Sequence, residues 1–181
     1  MKKNVWIVPI VLVLALILNS CGTQQKATAT VATPVVQEPV VAVEPLAEVI
    51  SIAEALDMYQ NPDKVDAITK KYGYKLKTNY EVYRLDKFSK MYYKNCALAK
   101  LLTADKYEDY PKPMRKGVSS YVAFKDGAII IAVFNQPAYD NLVAQVKAAG
   151  FTLDMPGSED IYTNGSRTIA CYKDGKSVRI Q

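Results

Sequence analysis

Histidine is missing from all 181 residues. That absence removes the commonest general base, the commonest metal ligand and the side chain that titrates near neutral pH. Neither a Ser-His-Asp nor a Cys-His nucleophile can be assembled, and a histidine-ligated zinc site is excluded. Tryptophan occurs once, as Trp6, so stacking elsewhere in the chain falls to tyrosine and phenylalanine. Cysteine is scarce: Cys21, Cys96 and Cys171 are too far apart in sequence to suggest a metal-binding motif. No polybasic block is present either. Residues 51–181 carry 20 basic and 15 acidic side chains, a net of +5, with the two signs interspersed. Such a balance belongs to a solvated mixed surface, and without a binding motif it argues against nucleic acid as a partner. Nothing in the composition calls for a cofactor.

The N-terminus is better endowed. Lys2 and Lys3 precede an apolar run over residues 5–18, which closes on Leu18-Asn19-Ser20-Cys21. A basic start, a short apolar core and a small residue before the cut describe a secretory signal peptide. The 14 apolar residues fall short of the about 20 that a spanning helix needs. Leu18-Asn19-Ser20-Cys21 resembles the lipobox of bacterial lipoproteins. The resemblance implies removal of residues 1–20 and acylation of Cys21, which becomes the first residue of a membrane-anchored chain. Such anchoring is stable because each buried methylene contributes about 0.8 kcal/mol. Gly22 stands where aspartate would favour the inner membrane, and no acidic cluster follows Cys21. The expected location is therefore the cell envelope, as an outer-membrane lipoprotein on the periplasmic side.

Residues 21–50 read as a tether. They are rich in Ala, Val, Thr, Gln and Pro, with Pro34, Pro39 and Pro45 at near-regular spacing and no aromatic residue. Prolines favour extended backbone, and no helical period is present. The composition shifts at Ser51: all 13 tyrosines and all 4 phenylalanines lie beyond it.

The part that folds echoes itself. Residues 67–76 and 143–153 each read as the end of a helix, a glycine (Gly73, Gly150), then an aromatic and a leucine opening a strand. Met91-Tyr92-Tyr93-Lys94-Asn95 parallels Ile161-Tyr162-Thr163-Asn164-Gly165, and residues 122–127 parallel 170–175, each closing on Lys-Asp-Gly. The three echoes keep their order. Asn61-Pro62 and Pro137 mark two helix starts, Gly73 and Gly150 two helix ends, and Ser51 with Glu54 a capping box on a short extra helix. Each Lys-Asp-Gly predicts a tight turn between strands. The expected fold is α+β: a tandem duplication of a helix followed by about three antiparallel strands, over residues 51–136 and 137–181, forming a shared sheet or core. This topology resembles the β-lactamase inhibitor protein fold and the helix-then-hairpin lipoproteins of outer-membrane assembly. Together with the signal peptide it resembles lipoproteins of Bacteroidota. The resemblance implies a fold and points toward protein binding.

The first repeat carries an insertion near residues 96–117. Its Tyr107, Tyr110, Met114 and Arg115 are residue types enriched at interface cores, and they form the candidate interaction surface together with Tyr92, which a strand would place opposite Tyr93. Tyr72, Tyr121, Tyr139 and Tyr172 are expected in the core. Cys96 and Cys171 are either a disulfide of an oxidising envelope or two buried thiols. No catalytic residue and no metal ligand emerges, and the acidic pairs Glu108/Asp109 and Glu159/Asp160 sit in loop-like sequence. The expectation is a non-catalytic binding or scaffold module for another envelope protein, with peptidoglycan as the alternative partner and an inhibitor or immunity role as a further one. A direct check is lipidation: cells fed an alkynyl palmitate should label the chain, and Cys21→Ala should abolish the label.

Overall fold

In a computed structural model of the full chain, residues 42–82, 86–103, 105–108 and 110–181 are described. The signal peptide, Cys21 and most of the tether lie outside them. Three α-helices are present among them, α1 (Ile52–Gln60), α2 (Val65–Lys71) and α3 (Gln136–Ala148), with a 3-10 turn over Pro62–Lys64 between the first two. Twelve strands follow the order β1 (Lys75–Val82), β2 (Asp86–Lys94), β3 (Cys96–Ala97), β4 (Leu101–Thr103), β5 (Lys106–Tyr107), β6 (Lys112–Pro113), β7 (Ser120–Lys125), β8 (Ala128–Val133), β9 (Thr152–Met155), β10 (Glu159–Thr163), β11 (Thr168–Tyr172) and β12 (Ser177–Ile180).

Eight of these strands form one antiparallel sheet in the order β1-β2-β7-β8-β12-β11-β10-β9. The expected α+β duplication of a helix with about three strands is thereby overturned. Strands hold 41% of the described residues and helices 24%, so the described part is mostly β. Two consecutive four-stranded meanders meet through their last strands: Ile131 pairs with Val178 and Ile129 with Ile180. Because β8 and β12 each complete the other's hydrogen bonding, neither has an open edge, and the meanders merge into one surface.

The helices lie on one face of that sheet. Ile129, Ile131 and Val133 of β8, Val178 and Ile180 of β12, and Ile169 and Cys171 of β11 point into a core shared with Ile52, Met58, Leu142 and Val146. The alternation of these strands explains the face: β12 reads Ser-Val-Arg-Ile, with Val178 and Ile180 buried and the polar residues opposite. The other face carries a smaller cluster, Tyr80, Val82, Phe88, Met91 and Ala123, over which Leu98 and Ala99 of the insertion pack. Tyr80 secures that lid through its hydroxyl, which accepts from the Ala99 backbone N–H at 2.9 Å.

Local signals placed the elements. Ser51 caps α1, and Ser51 and Glu54 form the reciprocal capping box. Asn135 caps α3 by accepting from Ala138 N–H at 2.9 Å, with proline in the first turn. Gly73 (φ 75) and Gly150 (φ 84) let the chain turn left-handed out of α2 and α3 into β1 and β9. The two Lys-Asp-Gly segments differ. Asp126 (φ 50) and Gly127 (φ 79) give β7–β8 a turn with two left-handed residues, the geometry that suits the twist of paired strands. In the second, Lys176 (φ 47) rather than Gly175 takes the left-handed position.

The Glu54 carboxylate does more than cap. It accepts from Lys71 Nζ at 2.7 Å and from the Tyr72 hydroxyl at 2.5 Å, tying α1 to the end of α2. Burial alone would raise the carboxyl, but the hydrogen bonds from Lys71, Tyr72 and Ser51 outweigh it and hold Glu54 below its ordinary value. A depressed carboxyl contributes stability that is present in full above the unfolded value of 4.5 and fades as pH falls through the folded one. Glu54→Gln should therefore lower the urea midpoint at pH 7 and flatten its decline below pH 4.5; parallel pH profiles for the two proteins would contradict this linkage.

Candidate functional site: a groove on the helix-free face

The insertion covers only part of the helix-free face. What remains is a groove of about 680 Å³, floored by Ala128, Ile130 and Ala132 of β8. Such a volume lies within the range of small-ligand and peptide sites. One wall is Tyr110 and Pro111 of the insertion, and another is Tyr172 at the end of β11; Phe88, Tyr121 and Phe134 add aromatic surface. The alternation of β8 makes this floor, since Ile129, Ile131 and Val133 turn to the helix side.

Each wall is held by a stated contact. Tyr172 packs against Gly175 so closely that a Cβ there would fall 2.4 Å from the ring. A side chain at position 175 would force that ring to move. Tyr121 meets Phe134 edge-on, with ring centroids 6.1 Å apart, and burial pushes its phenol up.

Two ion pairs line the groove. Lys125 bonds Asp86, which raises the lysine above its ordinary value. Arg179 Nη2 donates to Glu159 Oε2 at 2.7 Å. The Arg179 Nε is buried and has no hydrogen-bond partner among the described residues. Apart from that Nε, the two pairs bond each other's charges, and the exposed aromatic rings Tyr110 and Tyr172 stand at the walls of the groove.

The sequence-based candidates separate. Tyr110 lines the groove and is 45% exposed. Met114 (69% exposed) and Arg115 lie outside it, on the return arm of the insertion. Tyr107 is placed in β5, which pairs with β4. The insertion is thus two small ladders, β3–β6 and β4–β5, rather than an open loop. Tyr92 is corrected: it is buried on the helix side, where its hydroxyl donates to Asp66 Oδ1 at 2.5 Å and its ring meets Phe124 edge-on. Tyr93 is the more exposed of the pair. Among the expected core tyrosines, Tyr139 is buried, Tyr72 and Tyr121 are half-buried, and Tyr172 is exposed at the groove. Glu108 accepts from Lys112 and from Lys100 N–H, Glu159 pairs with Arg179, and Asp160 accepts from Gly157 N–H. Asp109 lies outside the described residues.

Cys96 and Cys171 are free, buried thiols, and the disulfide alternative is dropped. Cys171 lies on the helix side of β11, whereas Cys96 donates to the carbonyls of Lys94 and Ser120. Burial pushes Cys96 up to about 11 and Cys171 up to about 12. Among the described residues no group of acidic or cysteine side chains could hold a metal, and no helix is long and apolar enough to cross a membrane.

The groove residues Lys125, Asp86, Arg179 and Glu159 were not foreseen. The alternation of Ser177-Val178-Arg179-Ile180 was the available signal, since it gives a central strand one polar face. Comparison with family models, curated proteins and solved structures finds no match for this chain.

The thiol burial has a simple readout. Ellman's reagent at pH 8 should leave Cys96 and Cys171 unmodified in the native chain and label both in guanidinium. Rapid native labelling of either would contradict the packing described.

Proposed function

We propose that the chain is a membrane-anchored envelope lipoprotein that acts as a non-catalytic binding module, and that its groove receives a segment of another envelope protein. The groove itself carries this reading: about 680 Å³ on the helix-free face, with aromatic walls pre-set by Gly175 and by the insertion. Aromatic side chains over an apolar floor give contact area at low entropic cost, as in the centres of protein interfaces. A glycan would call for many free hydrogen-bonding groups, whereas Lys125, Asp86, Arg179 and Glu159 already bond one another. The signal peptide and lipobox-like Cys21 support the envelope location, and the tether would hold the folded part off the membrane.

Photo-crosslinking in intact cells tests the reading. A photoreactive residue at Tyr172 should yield one adduct of defined mass with an envelope protein, while the same residue at Lys147, on the exposed side of α3, should not. Retention on purified peptidoglycan sacculi that persists at high salt, without a protein adduct, would replace the protein partner by the cell wall.

A further inference from the structure

A second depression lies apart from the groove, where α2 hands over to β1. It encloses about 350 Å³ between the Tyr72-Gly73 turn, the end of β2 and the return arm of the insertion. Its lining includes three cationic residues, Lys75, Lys94 and Arg115, and no carboxylate. Lys94 is neutralised by Glu48, whose carboxylate sits 2.5 Å from its Nζ. Among the described residues Lys75 and Arg115 have no ion pair or side-chain hydrogen bond, so two positive charges border the pocket uncompensated. Tyr72, Tyr93 and Met114 supply the apolar part of the lining.

The backbone that carries Arg115 is fixed. Ser119, only 2% exposed, accepts from Arg115 N–H at 3.0 Å, and its Oγ lies 2.7 Å from the Asn95 carbonyl. Met114 N–H donates to the same carbonyl at 2.8 Å. The insertion's return arm is thereby clamped to the end of β2. The carbonyls at the end of α2 are occupied as well, because Gly73 and Tyr74 N–H bond Lys70 and Thr69. The negative end of that helix is in this way partly satisfied and opposes an anion less.

We propose that this pocket binds a phosphate monoester, with Lys75 and Arg115 contacting the phosphate and Tyr93 and Met114 flanking the organic group. The charge count favours phosphate over a single carboxylate: a dianion matches the two uncompensated cations, and a guanidinium pairs with phosphate oxygens through two parallel hydrogen bonds. The site does not depend on what the groove binds.

Methyl NMR of the full chain in detergent micelles tests it, with inorganic phosphate and glycerol 3-phosphate as probes at constant ionic strength. The Met114 methyl should shift saturably with both. Lys75→Gln combined with Arg115→Gln should weaken binding about tenfold or more, with the buried Met58 and Met91 methyls unchanged as reporters of the fold. Tighter binding of glycerol 3-phosphate would assign the site to a lipid headgroup or similar ester, and equal binding to free phosphate. No saturable shift, or an equal shift in the double variant, would overturn the proposal.

Discussion

The pairing of β8 with β12 is the constraint on which the rest depends. Each strand closes a four-stranded meander, and each would otherwise present a row of unpaired amides to solvent. Joined as Ile129–Ile180 and Ile131–Val178, they place four large aliphatic side chains side by side in the middle of the sheet. The helices α1 and α3 pack over that centre. Burying these side chains contributes on the order of 2 kcal/mol each, so the helix layer and the sheet stabilise one another through the same few residues.

An eight-stranded sheet with helices on one face has a second face to manage. The chain handles it unevenly. Around β1 and β2 the insertion lays Leu98 and Ala99 over Tyr80, Phe88 and Met91. At β8 and β12 the insertion gives way to the groove, where Ala128, Ile130 and Ala132 form the floor and Arg179 lies beside Ile130. The groove's aromatic residues come from four separate stretches of the chain: Phe88, Tyr110, Tyr121 with Phe134, and Tyr172.

This distribution explains what the sequence could disclose. Helix caps and ends are local, and Ser51 with Glu54, Asn135, Gly73 and Gly150 mark them within a few residues. The fold class is not local. The echoes pointed to repeated helix-plus-strand units, but the merging of two meanders into one mostly-β sheet depends on a contact between residues near 130 and residues near 179. Tyr92 and Tyr172 were misplaced for related reasons. A Tyr-Tyr pair shows that one side is exposed without saying which, and Tyr172 is exposed because β11 turns its neighbour Cys171 to the helix side and leaves the tyrosine on the opposite face. The groove needed all these long-range placements at once, so only the polar alternation in β12 hinted at it.

The segment leading into α1 is bonded at several points along its length. The Glu44 carbonyl accepts from Asn141, Glu48 pairs with Lys94, and Ile52 N–H donates to the buried amide of Gln145, which in turn donates to Asn141. These contacts reach α3 and β2, on either side of the core. Tension applied from the N-terminal side would load them together in shear, before any strand is peeled from the sheet. The fold is therefore gripped near its leading end, and a pulling force would be spread over its helix layer and its sheet instead of unravelling the chain from one end.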